Sequence, residues 1–233
     1  MEHHRDEKHI VISLGGSLIV PLGVDTGFLR TFKQFIESRV SEGYTFALFI
    51  GGGAVCRMYN DALEALEGKA TRDDKDWLGI SVTKVNALFL KMIFGTLAYD
   101  EIIVDPNIIP TTNKPIVIGA GWKPGWSTDY DAVVYAKHVG ASTVINLSNI
   151  SHVYTKDPRK YPDAVKIEKI TWAEFRTLIP ETWEAGLHSP FDPIASRLAE
   201  ESHISVSILD GNNIAELDNA LLGKAFIGTQ ITP

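Results

Sequence analysis

Three glycine-rich turns follow strand-like apolar runs in this chain, and each has the composition of an anion-binding turn. They are Gly15-Gly16-Ser17, Gly51-Gly52-Gly53 and the segment 119–129, GAGWKPGWSTD. Glycine lets backbone N–H groups approach an anion without an intervening side chain, and the N-terminus of a following helix adds partial positive charge. Glycine also closes ordinary strand-to-helix turns, so one such turn alone says little. Three of them in one chain favour a phosphate site.

Several known phosphate and hydrolase motifs are absent from the sequence. No G-x-x-x-x-G-K-[ST] occurs, which excludes a P-loop enzyme. No G-x-G-x-x-G follows the first strand, and no G-x-S-x-G elbow is present. The pattern therefore argues against a dinucleotide-binding domain and against a serine hydrolase.

Charge and cysteine content narrow the function further. The 22 Lys and Arg against 29 Asp and Glu give a net charge of −7, which argues against a general nucleic-acid or anionic-membrane binder. The single cysteine, Cys56, excludes an internal disulfide, and the composition predicts a reducing, cytoplasmic location. The apolar stretches have the length of strands and not of a membrane-spanning helix, so no membrane segment is expected. Residues 1–8 are predicted to be disordered or tag-like, and 9–233 to form one domain.

Apolar runs of strand length alternate with helical periodicity along the chain, which predicts an α/β fold. The architecture expected is a three-layer α/β/α sandwich with a mostly parallel central sheet, whose ligands bind beyond the carboxyl ends of the strands. Residues 148–163 are predicted to be a loop. Strands are predicted over 10–14, 44–50, 101–104, 115–118, 143–147, 165–170, 204–209 and 225–228, and helices over 25–42, 54–66, 73–94, 128–139, from 171, 192–202 and 213–222.

The glycine turns belong to an ordered set of motifs that resembles the amino acid kinase superfamily, and within it the archaeal-type UMP kinases. The other members of the set are Ser127-Thr128-Asp129, the run from Asn149 through VYTKDP at 153–158, DWLGI at 76–80 and FDPIA at 191–195. The resemblance covers about residues 9–232. It implies an ATP-dependent kinase that converts UMP to UDP, with Mg²⁺ as cofactor, and a homohexamer built from dimers. The helix predicted over 73–94, apolar on more than one side, is compatible with a buried interface.

The resemblance also implies roles for individual residues. Those expected at ATP are Gly16, Ser17, Gly53, Arg57, Ser148, Asn149, Tyr154 and Asp157. Those expected at UMP are Gly52, Asp76, Trp122, Lys123, Pro124, Gly125, Trp126, Ser127 and Thr128. Arg57, Asp129 and Asp192 are expected to act in catalysis, and Mg²⁺ is expected to bind through the ATP phosphates, with no protein ligand assigned.

Two positions depart from the wider pattern. Many superfamily members have a lysine where this chain has Ser13, so the positive charge must come from elsewhere. Lys123 is the candidate to supply that charge, and an equally good interpretation is that it is a solvated loop lysine. Ser151-His152 stands where the family has Asp-Gly, and His152 is interpreted as an exposed loop residue.

The acceptor loop leaves alternatives open. Trp122 and Trp126 could stack on uracil, since aromatic faces stack on bases, or could pack at an oligomer interface. Cys56 is expected to pack within its helix, and Asp131 to be a first-turn carboxylate stabilised by the helix dipole. The alternatives to a UMP kinase are a family enzyme with another phosphate or carboxylate acceptor, and a non-catalytic binding or storage protein.

Overall fold

The structure, a computed structural model, describes residues 8–68, 70–181 and 189–233; of the predicted N-terminal tail, residues 1–7 lie outside these ranges. The described strands, β1 to β10, are His9–Leu14, Thr45–Ile50, Ala98–Ile103, Ile116–Gly119, Thr143–Ser148, Val153–Tyr154, Lys166–Ile167, Lys169–Thr171, Ser205–Asp210 and Thr229–Thr232. The described helices, α1 to α8, are Gly16–Ile19, Thr26–Ser41, Gly53–Glu67, Arg72–Phe94, Thr128–Val139, Trp172–Arg176, Pro193–Glu201 and Ile214–Leu221.

The central sheet has eight strands in the order β3-β4-β2-β1-β5-β9-β10-β8. The first six run parallel, whereas β10 runs antiparallel to β9 and parallel to β8. The short strands β6 and β7 form a separate antiparallel pair. Because β1 lies between β2 and β5, the turns that follow these three strands meet at one edge of the sheet.

Helices cover both faces of the sheet, each over its own apolar cluster. Ile12 points into a cluster that includes Phe32 of α2 and Leu90 of α4. The neighbouring Val11 points into the opposite cluster, which includes Ala132 of α5. This division follows from the alternation of side chains along a strand. The predicted three-layer α/β/α sandwich with a mostly parallel sheet is confirmed.

Some strand predictions were wrong in detail. The final strand is Thr229–Thr232 rather than 225–228. A Cβ at Gly228 would lie 2.5 Å from the carbonyl oxygen of Ile208, so the chain crowds β9 just before it begins to pair. The predicted strand 165–170 is divided between the two sheets as β7 and β8, and the predicted loop 148–163 contains β6. Short apolar runs specify extended backbone but not the partner strand.

Helix α4 is the longest described helix, with 23 residues. A capping box at Thr71 and Asp74 opens it, and Gly95 ends it with a φ of 55°. Contrary to the expectation that apolar stretches are only strand-sized, Arg72–Leu97 is long and apolar enough to cross a membrane by length and composition alone. Within this protein, 44% of its most apolar window is buried, and α4 packs on β2, β3, β4 and α3.

Candidate active site

The glycine turns after β1 and β2 interlock through their backbones. A Cβ added to Gly16 would lie 2.3 Å from the nitrogen of Gly53 and 2.4 Å from the carbonyl oxygen of Gly51. Gly53, with a φ of 70°, would place its own Cβ 2.4 Å from the carbonyl oxygen of Gly16. Only glycine fits such a contact, so these two turns form one rigid backbone surface. Helix α3 begins at Gly53, and the N–H groups of its first turn have no partner within the helix.

A cavity of about 160 Å³ opens beside Gly52, between α4 and the start of α5. Asp76 of α4 lines it and is buried. Its Oδ2 accepts a hydrogen bond of 2.8 Å from the N–H of Gly125, while its Oδ1 is buried with no hydrogen-bond partner. Burial raises the pKa of this carboxyl, although the Gly125 bond opposes the rise. Of the residues expected at UMP, the structure brings Gly52, Asp76, Trp126, Ser127 and Thr128 together around this cavity.

The sequence analysis missed other residues that line the same cavity. Gly79, Ile80 and Thr83 follow Asp76 at three, four and seven residues on α4, so helical spacing was the signal that could have found them. The Thr83 hydroxyl also accepts a hydrogen bond of 2.9 Å from the N–H of Gly121. The remaining lining residues are Cys56, Lys75 and Gly121. Cys56 therefore does more than pack within its helix.

The loop 122–126 forms an aromatic column around a lysine. The Nζ of Lys123 lies 3.8 Å from the ring centroid of Trp122 and 5.6 Å from that of Trp126. Trp126 in turn stacks on Tyr130 at 4.1 Å between centroids. A cation at this distance from an aromatic face is attracted to it, so the ring of Trp122 limits where the ammonium group can go. Lys123 is thus held by the loop, although it does not line the cavity.

A polar cluster centred on Asp129 lies at the carboxyl ends of β1 and β5. The Oδ1 of Asp129 accepts hydrogen bonds from the hydroxyl of Ser13 at 2.6 Å and from the amide of Asn146 at 2.8 Å. Its Oδ2 accepts a bond of 3.3 Å from the backbone N–H of Asp192. Burial raises the pKa of Asp129 to about 6, which the two side-chain bonds oppose and the nearby Asp192 reinforces. Many superfamily members have a lysine at position 13. In this chain Ser13 instead donates a hydrogen bond that holds the Asp129 carboxylate in place.

Asp192 caps α7, the helix that the sequence predicted to begin at residue 192. Its Oδ1 accepts hydrogen bonds from the N–H groups of Ile194 and Ala195, which caps α7, and Pro193 occupies the first helical position. Burial raises its pKa. The same residue therefore ties the start of α7 to Asp129, next to the glycine turns.

The residues expected at the adenine nucleotide lie at the end of β5 and in the segment that follows it. Ser148 ends β5, Asn149 is exposed, and Tyr154 belongs to the β6–β7 pair. Asp157 accepts bonds from the backbone and guanidinium of Arg159, which hold the pKa of its carboxyl below the usual value. None of these four residues lines the cavity beside Gly52.

The β6–β7 pair is attached to the C-terminal strand by one buried hydroxyl. Thr229 of β10 accepts a hydrogen bond of 2.8 Å from the N–H of Val153 and donates one to the carbonyl of Ile167. The expectation that His152 is exposed was wrong: 5% of it is exposed, and its ring lies edge-on to Tyr154 at 6.4 Å. Burial of the ring lowers the pKa of His152, because it disfavours the charged form.

Arg57 stands apart from these groups. It lies on α3, one turn after Gly53, but its side chain is exposed and does not line the cavity. Burial raises the pKa of the neighbouring Cys56 thiol, and the positive charge of Arg57 opposes that rise. A role for Arg57 at a transferred phosphoryl group requires its side chain to turn toward the glycine turns.

The donor atoms near Asp129 have the chemistry that Mg²⁺ prefers. In the part of the chain that the structure describes, no group of three or more His, Cys, Asp or Glu side chains is arranged to hold a metal. The Oδ1 of Asn146, beside Asp129, is nevertheless buried with no hydrogen-bond partner among the described residues. Hard oxygen donors of this kind suit Mg²⁺, which keeps several non-protein ligands such as substrate phosphates.

Comparison with known proteins gives consistent results along the whole chain. A family model described as the amino acid kinase family matches residues 8–210. The uridylate kinase of Pyrococcus abyssi is 32% identical to this chain over 227 residues, covering 96% of this chain and 99% of that protein. That of Methanospirillum hungatei is also 32% identical, with coverages of 96% and 94%. The crystal structure of uridylate kinase from Archaeoglobus fulgidus matches with a TM-score of 0.77 at 27% identity, covering 96% and 99% of the two chains.

Proposed function

The chain belongs to the amino acid kinase family, and from that membership we propose that it transfers the γ-phosphoryl group of ATP to UMP, giving UDP and ADP in pyrimidine nucleotide synthesis. The observation that supports this proposal best is the cavity beside Gly52. It combines small backbone-exposing residues with a buried carboxylate, Asp76, that still has an oxygen free to accept a hydrogen bond. A ribose hydroxyl is a suitable donor to that oxygen.

The reaction needs positioning and charge neutralisation more than covalent chemistry. A phosphate oxygen of UMP attacks the γ-phosphorus as the bond to the bridging β-oxygen of ATP breaks, and ADP leaves with that electron pair. The UMP phosphate is already ionised at neutral pH, so the protein need not supply a strong base. The backbone of the turns at Gly16 and Gly53 would hold the phosphates, and Ser148, Asn149, Tyr154 and Asp157 would hold the adenine nucleotide.

Mg²⁺ bound with the ATP phosphates would offset charge that this acidic protein cannot offset alone. Asn146 and Asp129 would present oxygen atoms to that side of the phosphates, while Ser13 and the backbone of Asp192 keep Asp129 in place. Arg57 and Lys123 would supply the remaining positive charge from the protein.

The function is tested by following ADP formation with ATP, Mg²⁺ and a panel of acceptors: UMP, CMP and small carboxylates. We expect turnover with UMP and much less with the carboxylates. Turnover on another acceptor but not on UMP would refute the proposal in favour of a related kinase. Tight ATP binding without turnover on any acceptor would point to a binding or storage protein.

Lys123 is the proposed replacement for the lysine missing at position 13. Replacing it by alanine should lower kcat about 100-fold, because a cation near developing phosphoryl charge is removed, while the KM for ATP changes little. Lys123→Arg should retain much of the rate. The measurement is steady-state ADP release at saturating UMP, and Lys137→Ala on the last turn of α5 is the control. An unchanged kcat for Lys123→Ala would leave Lys123 as a solvated loop residue.

We also propose that the protein is a homo-oligomer, a hexamer made of dimers, assembled in part through α4. Four apolar side chains lie exposed along one row of that helix: Trp77, Val85, Leu88 and Met92. Patches of this kind on a soluble protein mark interaction sites. The cytoplasm, where a lone free cysteine stays reduced, is the proposed location.

A double substitution on that row tests the assembly. Val85→Glu with Met92→Glu should reduce the mass measured by light scattering to that of a smaller species, because two carboxylates would have to be buried in the interface. Lys137→Glu, exposed on the last turn of α5 and away from this row, is the control for added negative charge. An unchanged mass for the double variant would exclude this face as the interface.

A further inference from the structure

Burial of the Asp131 carboxyl costs desolvation free energy, and the proposed mechanism gives no reason for that burial. Asp131 sits in the first turn of α5 with 0% of its surface exposed. The charged groups acting on it are all carboxylates, from Asp129, Asp192 and Asp105, and no ion pair is formed by it among the described residues. Burying a carboxyl without a cationic partner is unfavourable, so an ordinary first-turn position near solvent would cost less.

The contact that Asp131 makes is with the acceptor loop. Its Oδ2 accepts a hydrogen bond of 3.1 Å from the backbone N–H of Trp122, and its Oδ1 is buried with no hydrogen-bond partner. Trp122 is the residue whose ring lies 3.8 Å from the Nζ of Lys123. The carboxyl therefore fixes the backbone at the point from which the aromatic column and its lysine extend.

The other end of the same loop is held in the same way. The N–H of Gly125 donates to Asp76, which is the carboxylate of the acceptor cavity. Gly125 has a φ of 86°, a backbone conformation that favours glycine. The loop 122–126 is thus attached through two backbone N–H groups to two buried carboxyls.

We propose that Asp131 is a positioning residue for the acceptor, which holds the loop 122–126 in place beside the cavity through the N–H of Trp122. This inference rests on the proposed function, because the cavity is taken to be the UMP site. Asp131 is fully buried and does not line the cavity, so we assign it no contact with either substrate. Its effect is exerted through Trp122 and Lys123, and the protein gives up stability to obtain it, as occurs at functional sites.

The test replaces Asp131 by valine, which has a similar volume and no acceptor. We expect Asp131→Val to be more stable in urea than the wild type, because a buried carboxyl without a cationic partner is removed and the N–H of the part-exposed Trp122 can turn to water. The variant should raise the KM for UMP by about tenfold and leave the KM for ATP unchanged. Asp131→Asn, whose side-chain oxygen can still accept the bond from Trp122, should restore the KM for UMP. A residue that merely supports the fold would show lower stability on replacement by valine, and that result, or a failure of this variant to fold, overturns the proposal.

A second measurement needs no substrate. Amide hydrogen exchange of the peptide containing Trp122 should be about tenfold faster in Asp131→Val than in the wild type, and near the wild-type rate in Asp131→Asn. Equal exchange in all three proteins overturns the positioning role. If the wild type does not phosphorylate UMP, the proposed function fails while exchange and urea stability still decide the role of Asp131 in holding the loop.

Discussion

Gly16→Ala should lower the rate of ADP formation about 100-fold or more and should also destabilise the protein. The new Cβ would lie 2.3 Å from the Gly53 nitrogen and 2.4 Å from the Gly51 oxygen, both backbone atoms of the neighbouring turn. Flexible side-chain motion cannot relieve a clash with backbone, so the two turns must separate. A displacement of about 1 Å at groups that position substrate costs roughly 100-fold in rate.

The matched control for this prediction is Gly23→Ala. Gly23 lies in the exposed loop between α1 and α2, and an added Cβ would meet nothing within 4 Å. That variant should have wild-type activity and equal or slightly higher stability, since alanine reduces the freedom of the unfolded chain. Activity is measured with ATP, Mg²⁺ and UMP, and stability by urea unfolding. Full activity in Gly16→Ala would show that the interlocked turns do not position the phosphates.

Asp76→Ala should lower kcat/KM for UMP about 100-fold while the KM for ATP stays near the wild-type value. Two interactions are lost together: the bond from the Gly125 N–H, and the free Oδ1 proposed to accept a ribose hydroxyl. Truncating one partner of a buried charged hydrogen bond costs about 2 kcal/mol or more. The effect should appear in the acceptor kinetics because none of the residues proposed to bind ATP lines this cavity.

A deoxy acceptor separates the two contributions of Asp76. If Oδ1 binds a ribose hydroxyl, the wild type should prefer UMP to dUMP, and Asp76→Ala should lose that preference. Asp73→Ala provides the control, since Asp73 is an exposed carboxylate in the first turn of α4, three residues before Asp76. An Asp76→Ala protein that still distinguishes UMP from dUMP would place the ribose elsewhere.

The strongest sequence predictions were those in which neighbouring residues alone decide the structure. The turn Gly51-Gly52-Gly53 was recognisable because it interrupts a continuous apolar strand, and the cap at Asp192 because Pro193 follows it. Once Asp76 is assigned to the site, helical spacing alone predicts which side of α4 lines the cavity. In each case the relevant partners lie within about one helical turn in the sequence, so local patterns describe them.

Local sequence patterns could not predict the contacts between distant segments. The bond between Ser13 and Asp129 joins residues 116 positions apart, and nothing at position 13 shows that its hydroxyl will fix a carboxylate. His152 and Asp131 were interpreted as exposed or ordinary because their burial depends on which segments pack over them. The last strand was misplaced because its pairing with β9 and β8 is a property of the sheet.

The sequence by itself determined the α/β architecture and the positions of the glycine turns, and its family resemblance supplied candidate residues for phosphate and acceptor binding. The tertiary structure decided which carboxyls share one buried site and what each of them holds. Hydrophobic periodicity and turn chemistry are local properties of the chain. Desolvation of a carboxyl depends on every segment that excludes water from it, and is therefore settled only when the layers pack together.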